Sequence, residues 1–573
     1  EIGMHQTRPE YEKRIVIYGL GDFGLETYFR LKERGIKIDY FADRDLQKKG
    51  YALDGLYCRT FDELLLEDRR RCILIVAVQK NKTLIDEFRR HGFQNVYDKE
   101  TAVRLLAVKE DLLEISPLQD LHLIEELKRD IQDGIYYNKK EVHEALQNIV
   151  DDYFLRNKDR KKSNTDRKTV QAKILEVNVS DLSGHVFNGY DLHIALIKRG
   201  ISAGQLVLDK RSTSGSVISI PKDLILHYQI REFEKIHSIN NFLYPCGEAI
   251  FSSPEFQAAD LVHYHILYNG VASLLDYPRL MNAKKSVWTI HDPWILTGNC
   301  LYPLMCGGWK TGCGNCRKTN EILFKLNQDT TNFMWEQKKC ILSQMNPHIV
   351  VSCGFMENYL KQSPLTQHFS NIHIIPFGID PDKYSLKEKH SDVRKNREKM
   401  VIAFRSDRLE RKGCKYIYEA LQKLNAGNKI ELLCVGNENV PSYIKDKYHT
   451  TELGWVDDES EIIRFFQSCD IFLMPSLAET FGVMAIEAMA AGCTVISFKD
   501  TVLEEVTNAP ECGIAVEYSS SDAIAEAIMY LLGHPEELSD RGRKGCEFVK
   551  ENYSFDQYVD RHIRLYQEIM EES

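Results

Sequence analysis

Short apolar runs alternate with longer amphipathic stretches along most of the chain. Continuous apolar runs are typical of strands buried on both faces of a parallel sheet, and the stretches between them have the periodicity of helices. In the first hundred residues the predicted strands are Arg14–Gly19, Ile38–Phe41, Ile73–Val78 and Val96–Asp98. Further predicted strands are Ile174–Val179, Asp260–His265, Val287–His291, Ile349–Ser352, Ile372–Pro376, Val401–Arg405, Leu432–Gly436 and Ile471–Met474. The pattern predicts an α/β protein.

The stretch from Asp470 to Phe498 predicts a strand, a loop, a helix and a second strand. Gly482 stands where the helix begins, and Gly492 ends it before the next β-branched run. Two carboxylates remain in this apolar setting: Glu479 in the loop and Glu487 inside the helix. The loop must fold back if both are to face one ligand.

The predicted helix start suits a phosphate. Its first turn has unpaired backbone N–H groups and the positive end of the helix dipole. Carboxylates suit sugar hydroxyls, so the stretch indicates a pocket for a sugar nucleotide. The alternative is a helix N-terminus with a capping Glu479 and a buried ion pair.

Glu479 and Glu487, with Phe481, Gly482 and Val483 between them, resemble the Glu-x7-Glu motif of retaining glycosyltransferases of family 4. The flanking Ser-x-x-Glu-x-Phe-Gly pattern accompanies the motif. The resemblance implies two facing Rossmann-like domains, the glycosyltransferase B-type fold. It also implies that this stretch binds the nucleotide-sugar donor, with Glu487 on ribose hydroxyls and Glu479 on the hydroxyls of the sugar.

A second glycine-rich motif lies near the amino terminus. Gly19, Gly21 and Gly24 follow a predicted strand and open an amphipathic stretch, and Asp43 follows the next strand. In Rossmann-like domains an acid about 20 residues after the glycines can reach a ribose hydroxyl. We expect a domain that binds NAD or a sugar nucleotide. The alternative is a Rossmann-like docking unit without a ligand.

The first half of the family fold supplies further candidates. Gly184 and Gly189 follow the predicted strand at Ile174–Val179, where the resemblance implies a loop against the donor phosphate and the acceptor. His291 ends another predicted strand, and in the family a histidine there contacts the donor sugar. A satisfied structural histidine is the alternative.

Four cysteines lie within one short stretch, at Cys300, Cys306, Cys313 and Cys316. Their spacing fits a tetrahedral zinc site, and four thiolate ligands would leave no open position for catalysis. Reduced thiols packed in an insertion, or a redox pair of the last two, are the alternatives. The stretch from 291 to 316 resembles a signature of the family 4 branch that builds bacterial exopolysaccharides, including colanic-acid-type enzymes. A structural zinc would then shape the acceptor-side loop.

Arg405 and Lys412 resemble the paired cations that the family directs at the donor diphosphate. A guanidinium binds phosphate bidentately and an ammonium adds a point charge. Arg408 and Arg411 are interpreted as solvated residues of the same loop. Because these cations neutralise the leaving diphosphate, we expect no catalytic metal.

The resemblance implies five segments. They are a Rossmann-like nucleotide-binding domain at 1–100, a helical bridge and polar linker at 101–168, an acceptor-side domain at 169–380 with the Cys-rich loop at 300–316, a donor-nucleotide-binding domain at 381–555, and a closing helix at 556–573 that crosses back.

The composition of the chain limits the classes of partner molecule that we expect it to bind. The formal net charge of −10 argues against nucleic acid. No apolar run has membrane-spanning length and no signal peptide precedes the first strand, so we expect a cytoplasmic protein. The basic linker Arg156–Lys168 could touch the inner face of an anionic membrane, although a solvated linker is the simpler interpretation.

The predicted reaction is transfer of a sugar, with retention, from a nucleotide diphosphate sugar to a saccharide, lipid-linked or protein acceptor in bacterial surface glycan synthesis. A UDP-sugar is the expected donor. A sugar-nucleotide epimerase and a non-catalytic sugar-nucleotide sensor are the alternatives, and both are disfavoured by the combination of Glu479, Glu487, Lys412 and His291.

Overall fold

The computed structural model describes residues 14–33, 35–69, 72–78, 81–106, 174–182, 184, 189–222, 224–236, 238–316, 325–385, 398–456 and 458–572. The polar linker and the predicted helical bridge beyond residue 106 lie outside the described residues. No helix in the described part has both the length and the apolar character of a membrane span. The chain divides into two compact units, one of Glu1–Val142 with Lys222–Phe233 and one of His143–Pro221 with Glu234–Ser573.

The first unit contains one six-stranded sheet with helices on both faces. Its strands are β1 (Arg14–Tyr18), β2 (Tyr40–Asp43), β3 (Ala52–Leu53), β4 (Leu56–Thr60), β5 (Cys72–Val76) and β6 (Asn95–Asp98). Its helices are α1 (Asp22–Glu33), α2 (Phe61–Leu65), α3 (Asn81–Arg90) and α4 (Lys99–Leu106). The order is β3-β4-β2-β1-β5-β6, parallel except for the β3–β4 hairpin. Residues 222–233 belong to this unit, where Tyr228 stacks on Phe29 with ring centroids 5.0 Å apart.

The second unit begins with a seven-stranded parallel sheet in the order β13-β12-β11-β10-β7-β8-β9. The strands are β7 (Ile174–Ser180), β8 (Ala203–Asp209), β9 (Val217–Ser219), β10 (Leu261–Tyr264), β11 (Lys285–Thr289), β12 (His348–Val351) and β13 (Ile372–Ile374). The helices along this part of the chain are α5 (Tyr190–Lys198), α6 (Leu224–Ile236), which belongs to the first unit as far as residue 233, α7 (Cys246–Phe251), α8 (Pro254–Ala258), α9 (Tyr277–Ala283), α10 (Thr331–Leu342) and α11 (Gly354–Gln362).

A second parallel sheet follows, in the order β16-β15-β14-β17-β18-β19. Its strands are β14 (Met400–Ser406), β15 (Ile430–Gly436), β16 (Thr450–Glu452), β17 (Ile471–Leu473), β18 (Thr494–Phe498) and β19 (Ile514–Val516). The helices of this part are α12 (Pro381–Tyr384), α13 (Cys414–Lys423), α14 (Ser442–Lys445), α15 (Glu459–Gln467), α16 (Val483–Ala490), α17 (Val502–Val506), α18 (Ser521–Gly533), α19 (Pro535–Asn552) and α20 (Phe555–Glu571). The predicted α/β class with parallel sheets is confirmed.

Contacts between the two sheets' helices and loops hold the halves of the second unit together. Glu505 of α17 accepts hydrogen bonds from the backbone N–H groups of Gly354 and Phe355, both at 2.8 Å, which caps the N-terminus of α11. Helix α20 returns to the seven-stranded sheet of the second unit, where Lys285 Nζ donates to the carbonyl oxygen of Ile569 at 2.7 Å. The loops at the carboxyl ends of both sheets therefore meet within one unit.

Candidate active site

The loop before α16 positions the start of that helix. Gly482 has a φ of +94°, and a Cβ there would lie 2.5 Å from Leu503 Cδ2, so a side chain is excluded both by the backbone and by the space. Phe481 is buried beside it, and Val483 begins the helix. The predicted strand–loop–helix stretch thus presents a helix N-terminus at the carboxyl end of β17.

Lys412 and Glu479 meet at this helix start. Lys412 Nζ lies 2.5 Å from Glu479 Oε1, which also accepts a hydrogen bond from Ser476 Oγ at 3.0 Å. The two loops can touch because Gly413 has a φ of +74° and no side chain, since a Cβ there would lie 1.9 Å from the carbonyl oxygen of Pro475. A cation and an anion therefore meet in the loop that leads into the N-terminus of α16.

Glu487 lies one turn inside α16 and receives a hydrogen bond from Tyr384 Oη at 2.8 Å. Burial raises the pKa of Glu487 to about 7, with the Tyr384 hydrogen bond acting in the opposite direction. Its carboxyl group therefore changes charge near neutral pH, and a ligand hydroxyl that donates to it would favour the ionised form.

Arg405 is turned toward other partners. Its Nη2 donates to Asp407 Oδ2 at 2.7 Å, and its guanidinium carbon lies 5.4 Å from the centroid of the Trp455 ring. The structure thus brings Lys412, but not the guanidinium of Arg405, into direct contact with Glu479.

His291 is partly buried in the first half of the unit and stacks on Phe377, with ring centroids 5.8 Å apart and an interplanar angle of 16°. Phe377 makes an edge contact with Phe481 at 5.5 Å, so a chain of rings joins His291 to the loop before α16. Burial lowers the pKa of His291 well below its usual value, as does the neighbouring His265. The imidazole is therefore neutral at physiological pH.

The two glycines that were predicted to contact the donor from the first half lie in different surroundings. Gly189 precedes α5 with a φ of +77°, and a Cβ there would lie 2.4 Å from His265 Nε2 and 2.8 Å from Glu176 Oε2. Gly184 has a φ of +73° and is exposed in a turn. Only Gly189 of the two approaches, through His265, the side chain of His291.

The second half also contains a cation that sequence reasoning misjudged. Interpretation of Arg411 as a solvated residue is wrong, because its guanidinium carbon lies 4.5 Å from the centroid of the Tyr302 ring in the Cys-rich loop. Within the described residues its Nη1 is buried without a hydrogen-bond partner. No local signal marks Arg411, since its contact joins two loops that are far apart in sequence.

The Cys-rich loop forms tight turns around its thiols. Gly298 N donates to Cys313 Sγ at 3.3 Å, and Gly308 N donates to Cys306 Sγ at 3.4 Å. Burial raises the pKa of Cys313, and the neighbouring thiols of Cys306 and Cys316 act in the same direction.

The amino-terminal glycine motif forms the predicted turn. Gly19 has a φ of +98°, and a Cβ at Gly24 would lie 1.8 Å from the carbonyl oxygen of Gly19, so both positions require glycine. Asp43, at the end of β2, is engaged by the glycine turn and by the residues that follow it: Oδ2 accepts from Leu20 N at 2.7 Å and lies 2.9 Å from Lys48 Nζ, and Oδ1 accepts from the backbone N–H of residue 45 at 2.9 Å. Gly21 begins the turn into α1 through its carbonyl oxygen, 2.9 Å from the amide of residue 25.

Comparison with known proteins agrees with this geometry. Residues 386–547 match the family model described as glycosyl transferases group 1. Over these residues the chain is similar to group 1 glycosyltransferases. The chain is 23% identical over 329 residues to a putative colanic acid biosynthesis glycosyl transferase, WcaC, of Escherichia coli strain K12, a match that covers 54% of this chain and 76% of that protein.

A second relative is alpha-maltose-1-phosphate synthase of Mycolicibacterium smegmatis, 22% identical over 340 residues, which cover 55% of this chain and 80% of that protein. Among solved structures, sucrose-phosphate synthase from Thermosynechococcus elongatus aligns with a TM-score of 0.51 at 18% identity, covering 70% of this chain and 100% of that one. The predicted fold with Rossmann-like domains is confirmed.

Proposed function

We propose that the protein is a retaining glycosyltransferase that moves a sugar from a nucleotide diphosphate sugar, with a UDP-sugar as the first candidate, to a saccharide or lipid-linked acceptor in surface glycan synthesis. The observation that carries the proposal is the convergence of Lys412, Glu479 and the N-terminus of α16. Relatives that act in colanic acid biosynthesis and in transfer to a diphospho-undecaprenol acceptor support the acceptor class.

The donor diphosphate is placed against Lys412 and the N–H groups that begin α16, where cationic charge stabilises the leaving group. Glu479 accepts hydrogen bonds from hydroxyls of the sugar, and Glu487 accepts them from the ribose. His291 contacts the sugar from the opposite half. Arg405 adds positive charge at the rim, from its place beside Trp455.

The bond between the anomeric carbon and the phosphate oxygen breaks while the acceptor oxygen bonds to the same face of that carbon. The acceptor hydroxyl gives its proton to the departing phosphate. Glu479 is paired with Lys412 and Glu487 is hydrogen-bonded to Tyr384, and neither is assigned as a covalent nucleophile, which favours attack from the side of the leaving group. Closure of the halves around the donor excludes water from the reacting centre.

A panel of UDP-, GDP- and dTDP-sugars tests the proposal, with and without saccharide acceptors. The expected result is release of the nucleoside diphosphate and a glycoside whose anomeric configuration, measured by proton NMR, matches that of the donor. An inverted product contradicts retention. Donor isomerisation without transfer establishes the epimerase, and binding without turnover establishes the sensor.

The Cys-rich loop is proposed to hold a structural zinc ion through Cys300, Cys306, Cys313 and Cys316. Backbone N–H groups already point at two of the four sulfur atoms, an arrangement that stabilises thiolates. The expected metal content is about one zinc per chain, lost in Cys313→Ser and kept in Cys340→Ser, an exposed cysteine outside the loop. Equal metal content in both variants contradicts the site.

A further inference from the structure

A buried polar cluster lies directly behind His291 on the first sheet of the second unit. Glu176 on β7 pairs in register with His263 on β10, and His265 follows on the same face. Glu176 and His263 are fully buried, and His265 has 2% of its surface exposed. Tyr566 of α20 covers the group, with its hydroxyl 3.2 Å from Glu176 Oε1 and 2.7 Å from His263 Nδ1.

One line of hydrogen bonds leads from this cluster to His291. His265 Nε2 lies 2.5 Å from Glu176 Oε2, and His265 Nδ1 lies 3.2 Å from His291 Nε2. A buried carboxyl group is costly unless its oxygens are hydrogen-bonded, and here imidazole and phenol groups surround both oxygens. The line of hydrogen bonds therefore begins at Glu176 and ends at His291.

The protons on this line follow from hydrogen-bond chemistry. An ionised carboxylate only accepts, so His265 must donate through Nε2. A neutral imidazole that donates through one nitrogen accepts through the other, so His265 Nδ1 accepts the Nε2 proton of His291. Burial would raise the pKa of Glu176, but His263 and His265 hold it below its usual value. Burial lowers the pKa of His265 to about 4, so its ring is neutral.

We infer that Glu176 and His265 are positioning residues that hold His291 as the tautomer protonated on Nε2, with Nδ1 left as a hydrogen-bond acceptor. This inference rests on the proposed function and sharpens it. An acceptor nitrogen at His291 selects a ligand group that donates a hydrogen bond, so the sugar must present a hydroxyl there and not a carboxylate or a phosphate.

Gly189 connects the same pair to the glycine loop. Because its Cβ position falls on His265 Nε2 and Glu176 Oε2, the loop can close over the pair only with glycine. The remaining titratable groups of the cluster have partners other than His291: His263 Nε2 lies 2.7 Å from Thr289 Oγ1 and its Nδ1 lies 3.3 Å from Glu176 Oε2, and His562 Nδ1 donates to the carbonyl oxygen of Tyr558 at 2.9 Å. The line to His291 therefore passes through His265.

The direct test is the tautomer of His291 in the full chain. Long-range proton–nitrogen NMR of protein labelled with ¹⁵N-histidine, with His291 assigned from His291→Gln, is expected to show a protonated Nε2 and an unprotonated Nδ1. A protonated Nδ1, or a doubly protonated ring, at neutral pH overturns the inference. This measurement needs no substrate, so its result is independent of whether the protein transfers sugar.

Two substitutions of His265 separate positioning from packing. The amide of His265→Asn occupies the place of Nδ1 and can accept from His291, whereas that of His265→Gln occupies the place of Nε2 and keeps only the Glu176 contact. Loss of the hydrogen bond to His291 is expected to lower kcat about 10-fold in the Gln variant relative to the Asn variant. The reverse order would mean that His265 only holds Glu176 in place, and it would overturn the inference.

Tyr566→Phe is the matched control, because it removes hydroxyl contacts to Glu176 and His263 and leaves the His265–His291 contact in place. Its expected kcat is within about 3-fold of wild type, with a lower melting temperature. A kcat as low as that of the Gln variant would show that any damage to the cluster has the same effect and would contradict a specific line to His291.

Discussion

Two glycine loops in this protein lead from a strand into a helix, and they differ in what their acids do. In the first unit Asp43 accepts hydrogen bonds from the backbone of the glycine turn at Leu20, and from the backbone and Lys48 of the loop that follows β2. In the second unit Glu479 meets Lys412 from another loop, and Glu487 has one phenol donor. The first acid stabilises its loop, while the second pair lies where two loops and a helix N-terminus converge.

A glycine motif therefore indicates a backbone turn before it indicates a ligand. Gly19 and Gly24 are required by positive φ and by close packing of helix on strand. The same requirements explain Gly482. What distinguishes the second loop is that a cation and an anion from two separate loops meet beside the helix start, as Lys412 and Glu479 do.

The largest expected effect comes from breaking the second loop's charge pair. Lys412→Ala removes the cation aimed at the leaving diphosphate, and we expect kcat to fall by about 100- to 1,000-fold, the magnitude for losing one preorganised electrostatic group. Steady-state kinetics with the best donor measure it. Arg408→Ala, an exposed cation of the same loop, is the control and should retain wild-type kinetics. A Lys412 variant with more than a tenth of wild-type kcat would contradict this role.

Much of this contrast could be predicted from the sequence, because the strands and turns depend on interactions between residues that are close in sequence. Apolar runs mark β17 and β18 because burial acts on each segment separately, and the glycines mark the turns. The pairing of Lys412 with Glu479 follows only through the family motif. The contacts of Tyr302 with Arg411 and of Tyr384 with Glu487 depend on how distant segments meet, which no local pattern records.

The next effect concerns stability as a function of pH. Glu487 has a pKa of about 7 in the folded protein, above the usual value of 4.5, because burial disfavours its charged form. The folded state therefore binds more protons than the unfolded state between about pH 4.5 and 7, so this group lowers stability as pH rises through that window. Relative to Glu487→Gln, wild type should lose up to about 3 kcal/mol between pH 5 and pH 8.

Urea unfolding of the two proteins at pH 5 and pH 8 measures this difference. Buried Glu234 and Asp276 also have pKa values of about 7, but they are present in both proteins and cancel in the comparison. Parallel pH profiles for wild type and variant would show that Glu487 ionises normally, which would remove the distinction between this acid and an ordinary surface carboxylate.

A smaller effect on donor binding is expected from substitution of Arg411. Its buried Nη1 has no hydrogen-bond partner among the described residues, whereas the carboxylate of Asp43 accepts hydrogen bonds within the first unit. Arg411→Met keeps apolar contact with Tyr302 but removes the charge, and we expect the KM for the donor to rise about 10-fold, as for one lost charge-assisted hydrogen bond. Donor titration in steady-state assays measures it, beside Arg408→Met. If both variants bind donor equally well, Arg411 serves only to stack on Tyr302.

Substitution of Asp43 is expected to have no effect on sugar transfer, because this acid stabilises the first unit. Asp43→Asn keeps the shape but loses acceptor capacity for Leu20 N or for the amide of residue 45, which should cost about 1–2 kcal/mol in the first unit. All five tryptophans lie at residue 288 or beyond, so fluorescence follows only the second unit. Hydrogen exchange of peptides from residues 14–78 should quicken, while the fluorescence transition and kcat stay unchanged. A loss of transfer activity in this variant would mean that the amino-terminal loop acts on the reaction, and the two glycine loops would then have to be treated as parts of one functional system.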